Sequence, residues 1–490
     1  MAAIPDGLAA AAAALEAGDA AAARQGLAAM LAVPDLAPSQ RVAALRLRAR
    51  AAELLRDLAA ALADLELVAR LAPQDAKAWA DLGVVHAVGG DPASAIAALR
   101  RSLALDGGNA RNWNNLGSAL WASGAHAEAV EAFTAATAIA PSYTHAFVNL
   151  GSALRDLGRN DAAARALEHA LELEPVNVAA LGKLASLRHR GDRLADAIAL
   201  YARAVRAAPQ DAELCALLAR AMTDADDLAG ARRVYAEAVR RNPALLRARI
   251  GARLLLPSIY VDAGDVGRVR SEYAEGLAAL ESELPAAAAA LDAPDRLDAL
   301  RWSNFLLAYQ GENDRPLQER YARLVGSLLD AEAPPRVPRP RRGAGDRTRI
   351  GFASAFFRDG TVGRYFASWI TGIDRTRYAV TIYDLRPAED ALVTELRACV
   401  DTFRALPASL PSAVARIIED DAPDVLVYPE LGMDATTFVL AARRLAPLQC
   451  AGWGHPVTTG HAAIDVFFSS EAMEPADGAS HYSEALVRLP

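Results

Sequence analysis

The sequence predicts an α-helical repeat solenoid followed by an α/β lobe built on a parallel sheet. Three observations lead to this fold class. Residue types recur with a period of 34 positions between about residues 43 and 243. A stretch rich in proline, arginine and glycine then interrupts the helical pattern at residues 334–346. After it, short apolar segments rich in β-branched and aromatic residues alternate with helical segments, which is typical of a doubly wound domain.

The period of 34 is visible in several residue types at once. It relates the prolines Pro141, Pro175, Pro209 and Pro243, and it also relates the leucines Leu82, Leu116, Leu150, Leu184 and Leu218. Such a period, with a large residue near the start of each unit and a proline at its end, is that of the tetratricopeptide repeat. Each unit is therefore predicted to be an antiparallel pair of helices, called helix A and helix B.

Small residues and prolines have a mechanical role in each unit. Glycine within helix A lets helix B approach closely, and a second glycine forms the turn between the two helices. Proline ends helix B because it lacks an N–H group and clashes with the preceding turn. The glycines with these two roles are Gly83, Gly117 and Gly151 within helix A, and Gly90, Gly124 and Gly158 at the turn.

The pattern divides the chain into five segments. Residues 1–42 are a degenerate helical cap, residues 43–243 are the tetratricopeptide repeats, and residues 244–333 are linking helices without the period. Residues 334–346 are a linker, and residues 347–490 are a Rossmann-like lobe in which strands and helices alternate.

Composition excludes several functional classes. The net charge of -8 disfavours general nucleic-acid binding, which needs an excess of lysine and arginine. No apolar run is long enough to span a bilayer. Cys215, Cys399 and Cys450 have no metal-ligand spacing and are predicted to be small buried hydrophobes. We expect a cytoplasmic protein without a metal site, for which a homodimer is compatible with the sequence.

Stacked repeats form a groove lined by helix A, and its inward positions are predicted to include Asp81, Asn115 and Asn149. Two interpretations are open for these residues. They are either solvated polar side chains or groups that bind a peptide backbone, since an asparagine amide offers both a donor and an acceptor.

In the lobe, three loops follow predicted strands and therefore share the edge where parallel α/β sheets bind ligands. They are SAFFRDGTVGR after the first strand, YPELGMD after DVLVY, and GHPVTTG after QCAGW. The third loop places an imidazole and two hydroxyls among glycines, a combination suited to phosphate or sugar oxygens. The alternative is a simple chain reversal in which Thr458 caps the next helix.

Several of these segments together resemble the bacterial branch of the O-linked N-acetylglucosamine transferase (SPINDLY-like) family. The resemblance rests on the repeats followed by FLLAYQGENDRPLQERY, IGFASAFFRDGTVGRYF, DVLVYPELGMD, RLAPLQCAGWGHPVTTG and HYSEALVRLP. It implies a two-lobed glycosyltransferase fold of which this chain carries the first half. It also implies transfer of N-acetylglucosamine, or another hexose, from a UDP-sugar to serine or threonine of proteins held in the groove. No cofactor and no metal are implied besides the UDP-N-acetylglucosamine donor.

The resemblance assigns residues to a cleft between donor and acceptor. Those expected near the sugar and diphosphate are Gly454, His455, Pro456, Thr458 and Thr459, and those expected to border the acceptor are Tyr428, Gly432 and Met433. In the groove, it implies that Asn115 and Asn149 grip the acceptor backbone.

The chain departs from the family pattern at one catalytic position. Gly360 stands where the family has a histidine that faces the reaction centre, so no catalytic residue is assigned. The alternative function is a non-catalytic tetratricopeptide scaffold that binds peptides and retains a remnant lobe.

The lobe after the linker is expected to be the first of two, and the final ALVRLP segment is interpreted as a strand entering the second. The visible loops offer Arg358, Arg364 and His455 against Asp359, Glu430 and Asp434. We therefore expect weak binding of a UDP-sugar by these loops alone.

Overall fold

The computed structural model describes residues 3–329, 346–387, 390–406 and 410–490. Most of the predicted linker lies outside these ranges. The chain divides into two compact units, Met1–Lys183 and Leu184–Pro490, with the division inside a repeat helix. Repeats pack mainly on their neighbours, so such a division need not coincide with a change of fold.

The first unit is entirely helical in its described residues. Its helices are α1 (Ala3–Glu16), α2 (Ala20–Leu31), α3 (Pro38–Leu54), α4 (Leu58–Leu71), α5 (Ala76–Val88), α6 (Pro92–Leu105), α7 (Ala110–Ala122), α8 (His126–Ile139), α9 (Thr144–Asp156), α10 (Asn160–Leu173) and the start of α11 (Val178–Arg190). The helices A that begin at residues 76, 110, 144 and 178 keep the predicted period, which confirms the tetratricopeptide solenoid.

The glycines have the predicted roles. A Cβ atom on Gly151 would lie 2.6 Å from Cγ of Leu167 in α10, so only glycine allows the observed approach of α9 and α10. Gly90, Gly124 and Gly158 occupy the turns with φ of +78°, +85° and +74°. In the second unit the corresponding turn residues are Asp192 and Asp226, which also adopt positive φ.

The second unit begins with the remaining repeat helices and continues into helices without the period. They are α12 (Leu194–Ala207), α13 (Ala212–Asp224), α14 (Leu228–Arg241), α15 (Leu246–Arg253), α16 (Ala263–Ala288), α17 (Ala293–Ala299), a 3₁₀ helix (Phe305–Gln310) and α18 (Arg315–Leu329). The linking helices share one hydrophobic core with the α/β lobe, in which Leu277, Leu307 and Tyr321 pack in the same cluster as Tyr428 and Phe438.

The lobe is a seven-stranded sheet in which every neighbouring pair is parallel. Its strands are β1 (Thr348–Ser354), β2 (Tyr378–Asp384), β3 (Thr402–Ala405), β4 (Val425–Tyr428), β5 (Leu448–Ala451), β6 (Val466–Ser470) and β7 (Ala485–Leu489), and its helices are α19 (Thr361–Thr371), α20 (Ala391–Cys399), α21 (Pro411–Asp421) and α22 (Ala435–Ala441). The strand order β3-β2-β1-β4-β5-β6-β7 confirms a Rossmann-like lobe.

Two sequence expectations are corrected by the lobe. The final segment, interpreted as a strand of a second lobe, is strand β7 of this sheet and pairs with β6 from Val466↔Ala485 to Ser470↔Leu489. Cys399 is only half-buried, whereas Cys215 and Cys450 are buried as predicted. Within the described residues, no helix is long and apolar enough to cross a membrane.

Candidate active site

The strand order reverses direction between β1 and β4, and the loops that follow these strands lie at the carboxyl edge of the sheet. Residues 355–360 follow β1, residues 429–434 follow β4, and residues 452–460 follow β5. This edge at the reversal point is where open α/β sheets bind ligands. The structure therefore brings together the three loops that the sequence singled out.

Backbone contacts hold the β4 and β5 loops against each other. The N–H of Gly452 donates to the carbonyl of Tyr428 over 2.9 Å, and the N–H of Gly454 donates to that of Pro429 over 3.0 Å. A Cβ atom on Gly454 would lie 2.6 Å from the same Pro429 oxygen. The glycine is thus required by close approach of two backbones, and its N–H is already used.

His455 is the central side chain of the site. Its residue is only 2% exposed, and its ring lies 5.2 Å from that of Phe305, centroid to centroid. Gly432, with φ of +112°, leaves room for the imidazole, since a Cβ atom there would lie 2.4 Å from Cδ2 of His455. The hydroxyl of Ser303 donates to the carbonyl of Gly432 and ties this turn to the segment that carries Phe305.

The imidazole of His455 is neutral and has a free nitrogen. Burial lowers its pKa to about 4, so the ring carries no charge near neutral pH. Its buried Nε2 atom has no hydrogen-bond partner among the described residues. Buried polar groups are nearly always paired, so an orphan nitrogen beside a ligand-binding edge is a functional signal.

Thr458 and Thr459 lie in the same loop, but their hydroxyls bind a protein carboxylate. Glu484, which precedes β7, accepts from the Thr458 hydroxyl over 2.7 Å, from the Thr459 N–H over 2.8 Å, and from the Thr459 hydroxyl. Both threonines are buried. In this arrangement they hold the loop and do not present hydroxyl groups to a ligand, which the sequence alone did not indicate.

The residues expected to border the acceptor are placed differently from one another. Tyr428 is fully buried in the core shared by the sheet and the linking helices, so it does not line a surface, and that expectation is corrected. The physical reason is that a large side chain at the end of a central strand can pack under the covering helices. Met433 is half-buried and Pro456 is exposed beside His455.

The first loop contributes an exposed ion pair and not a histidine. Arg364 contacts Asp359 at 2.5 Å, and the Arg358 guanidinium lies 5.2 Å from the Phe356 ring centroid. Gly360 is extended, and a Cβ atom there would meet only the Arg358 carbonyl at 3.9 Å. The position has room for a side chain although the chain places none there.

Two buried carboxyls at this edge were not predicted as site residues. Glu430 is fully buried and accepts from the Ser354 hydroxyl over 2.7 Å and from the Ala355 N–H over 3.2 Å. Asp384 ends β2 directly opposite Ser354 and has one orphan carboxyl oxygen. Burial raises the pKa of Glu430 to about 8 and that of Asp384 to about 7. Their position at strand ends was visible in the sequence, but their burial was not.

Glu430 gives a prediction for the pH dependence of stability. Its pKa is raised by folding, so the folded chain retains a proton that the unfolded chain releases above about pH 4. Stability from this group is present at low pH and is lost as the pH rises toward about 8, by at most about 1.4 kcal/mol per pH unit. We expect Glu430→Gln to gain stability relative to wild type over this window.

The measurement is urea unfolding of both proteins at about pH 5 and about pH 8.5. Comparing them removes the contribution of Asp384, which is common to both. Glu395→Gln, at an exposed position, serves as the control. Its free energy of unfolding should change between the two pH values by as much as that of wild type. If the free energy of unfolding of Glu430→Gln also changes with pH as that of wild type does, Glu430 ionises with an ordinary pKa.

In the first unit, the three predicted groove residues lie on uncovered positions of successive helices A. Asp81, Asn115 and Asn149 are each half-buried. Asp81 lies 3.9 Å from the Arg46 guanidinium, and the Asn149 amide donates to Oδ1 of Asn114 over 2.9 Å. In the described part of the chain, no group of three or more His, Cys, Asp or Glu residues could hold a metal ion.

Known proteins resemble this chain in its repeats and over part of its length. The tetratricopeptide repeat family model matches residues 56–110, 80–144 and 148–212. The chain is 29% identical over 161 residues to a probable UDP-N-acetylglucosamine–peptide N-acetylglucosaminyltransferase SEC of Arabidopsis thaliana, which is 32% of this chain and 16% of that protein. It is 31% identical over 77 residues to a UDP-glucose:protein N-beta-glucosyltransferase of Actinobacillus pleuropneumoniae serotype 7, covering 16% and 12%.

Among solved structures, a mutant of Thermobaculum terrenum O-GlcNAc transferase aligns with a TM-score of 0.48 and 23% identity, over 71% of this chain and 57% of that one. The tetratricopeptide protein YrrB, described as having an unusual peptide-binding site, aligns with a TM-score of 0.33 and 18% identity, over 38% and 95%. The chain combines tetratricopeptide repeats with similarity to O-GlcNAc transferases, and it matches less than a fifth of the length of either curated relative.

Proposed function

We propose that this protein is a UDP-sugar-dependent glycosyltransferase that modifies serine or threonine side chains of protein acceptors. The two curated relatives are named for transfer of sugars from UDP-N-acetylglucosamine or UDP-glucose to peptide or protein. The donor proposed here is UDP-N-acetylglucosamine, and another UDP-hexose is the alternative donor. No cofactor or metal enters the proposal.

The observation that carries the proposal is the buried, neutral and unpaired Nε2 atom of His455 at the carboxyl edge of the sheet. In a direct displacement, the acceptor hydroxyl oxygen forms a bond to the anomeric carbon while the bond from that carbon to UDP breaks, UDP leaves with the electron pair, and the hydroxyl proton is released to solvent. A neutral imidazole can accept a hydrogen bond from the incoming hydroxyl or donate one to a sugar or phosphate oxygen. Phe305 and Gly432 fix the plane of the ring, so this contact is preorganised.

The other loop residues have supporting roles in this proposal. Gly454 and Pro456 flank His455 and set the path of the loop, and the two threonines anchor that loop through Glu484. The Gly432 turn borders the imidazole, and we assign the neighbouring half-buried Met433 to the acceptor side of the same turn. Acceptors are held in extended form along the helix A row that contains Asn115 and Asn149, whose amides suit a peptide backbone.

The test uses protein expressed from its natural gene. Transfer of a hexose or N-acetylhexosamine to a peptide is measured by mass spectrometry of the peptide. We expect a product with UDP-N-acetylglucosamine and a loss of at least about a hundredfold for His455→Ala, the size typical of one lost transition-state contact. His481→Ala, a half-buried histidine in the same lobe, is the control and should keep wild-type activity. Full activity of His455→Ala, or no product with any UDP-hexose, would overturn the proposal.

A further inference from the structure

Four polar residues recur at one position of successive helices A, and two of them are charged. Asp81, Asn115, Asn149 and Lys183 occupy the same position in α5, α7, α9 and α11, each 34 residues from the next. We call these four residues the groove row. All four are half-buried, whereas the leucine and the glycine or alanine at the next two positions of each helix are buried.

Lys183 has no partner of its own in the described part of the chain. It forms no hydrogen bond there and no ion pair within 4.0 Å. The carboxylate whose charge acts on Lys183 is Asp156, and Arg155 donates to one of its oxygens twice, over 2.9 and 2.7 Å. Burial, followed by repulsion from Arg155, lowers the pKa of Lys183. A half-buried ammonium without a direct ion pair or hydrogen bond is poorly compensated, so an anion placed beside it would be stabilised.

The amides next to Lys183 are oriented by the protein itself. The Asn149 Nδ2 group donates to Oδ1 of Asn114. The positions equivalent to Asn114 in the neighbouring helices A are Ala80 and Val148, which cannot accept this bond through a side chain. This bond fixes the Asn149 amide and leaves its Oδ1 atom without a described partner. Asn114 is therefore a positioning residue, which leaves Asn149 able to accept a hydrogen bond from a peptide N–H.

The opposite end of the groove row has the other charge. The Asp81 carboxylate is 3.9 Å from Arg46, but Arg46 contacts Asp75 more closely, at 2.7 Å. Lys77 and Arg46 act on Asp81 as opposite charges, and Glu53 and Asp75 act on it as like charges. The row thus runs from an acidic end at α5, through two amides, to a basic end at α11.

We propose that the groove row binds an extended peptide segment and that Lys183 selects segments carrying a carboxylate at the level of α11. This inference rests on the proposed function and specifies its acceptor class. Packed helices lie roughly 8–10 Å apart, so each repeat spans about three residues of an extended peptide. A basic residue of the peptide roughly nine positions from that carboxylate would then lie at the level of Asp81.

The experiment measures binding and requires no donor. Fluorescence anisotropy compares a labelled serine- and alanine-rich peptide that carries one glutamate with the same peptide carrying glutamine. Each peptide is used in an amidated and a free-acid form, which separates a side-chain carboxylate from a terminal one. We expect wild type to prefer the carboxylate by about three- to tenfold at low salt, as for a partly exposed ion pair.

The variants separate the contribution of Lys183 from general electrostatics. Lys183→Gln should abolish the preference, Lys183→Arg should retain it, and Asp81→Asn should leave it unchanged while reducing any preference for a basic residue. Melting curves check that each variant is folded. Equal binding of the glutamate and glutamine peptides by wild type, or a preference that persists in Lys183→Gln, would overturn the inference. Either result could occur with transfer intact, so failure here is distinct from failure of the proposed function.

Discussion

Gly432→Ala is expected to lower the free energy of unfolding of the lobe by about 2–5 kcal/mol and to abolish sugar transfer. The residue has φ of +112°, a conformation that costs an alanine strain energy. The added Cβ atom would lie 2.4 Å from Cδ2 of His455, far inside normal contact, with Nε2 at 3.1 Å. The imidazole must move, and it is packed against Phe305 and has little space in which to do so.

The measurement is urea unfolding followed by tryptophan fluorescence, because Trp369 and Trp453 lie in the lobe and contact each other. Gly360→Ala is the matched control. It is also a loop glycine at the carboxyl edge, but its backbone is extended and a Cβ atom meets only one carbonyl at 3.9 Å. The control should be within about 0.5 kcal/mol of wild type. A Gly432→Ala protein as stable as the control would show that the His455 pocket adapts freely.

Glu484→Ala is expected to destabilise the lobe by about 3–5 kcal/mol and to release the loop at residues 453–460. The carboxylate accepts from two hydroxyls and one backbone N–H, all in buried surroundings. Removing it leaves these three donors without their acceptor in the protein interior, and each unmet group costs about 1–3 kcal/mol. Glu484→Gln keeps one acceptor oxygen and should lose less.

Stability is measured by urea unfolding, and release of the loop by limited proteolysis, which should cut within residues 453–460 only in Glu484→Ala. Glu471→Ala is the control, since Glu471 is an exposed carboxylate between the neighbouring strands β6 and β7. Wild-type stability in Glu484→Ala would mean that the threonines find other partners. Destabilisation without new cleavage would instead show that Glu484 stabilises the edge of the sheet and does not hold the loop.

The loops of the candidate site were identified from the sequence, whereas the contacts between their atoms were not. His455 was singled out because it stands between glycines after an apolar strand, and both are local features. The distances to Phe305 and Gly432 depend on segments 150 and 23 residues away, for which the loop sequence carries no signal. Tyr428 illustrates this limit of sequence-based prediction. A tyrosine at the end of a strand can either line a ligand-binding site or pack into the core, and the local sequence does not distinguish the two.

The sequence by itself determined the repeat period, the helix boundaries set by proline and glycine, and the alternation of strands and helices. These features follow from short-range sterics, because proline stops a helix and a small residue permits close helix packing within one unit. Only the tertiary structure decided that β7 pairs with β6, that Glu430 is buried with a raised pKa, and that Thr458 and Thr459 bind Glu484. It also left Lys183 without a direct ion pair in the described residues, while Arg155 binds the Asp156 carboxylate. Partners, burial and ionisation depend on contacts between distant segments, and such contacts are fixed only when the chain packs.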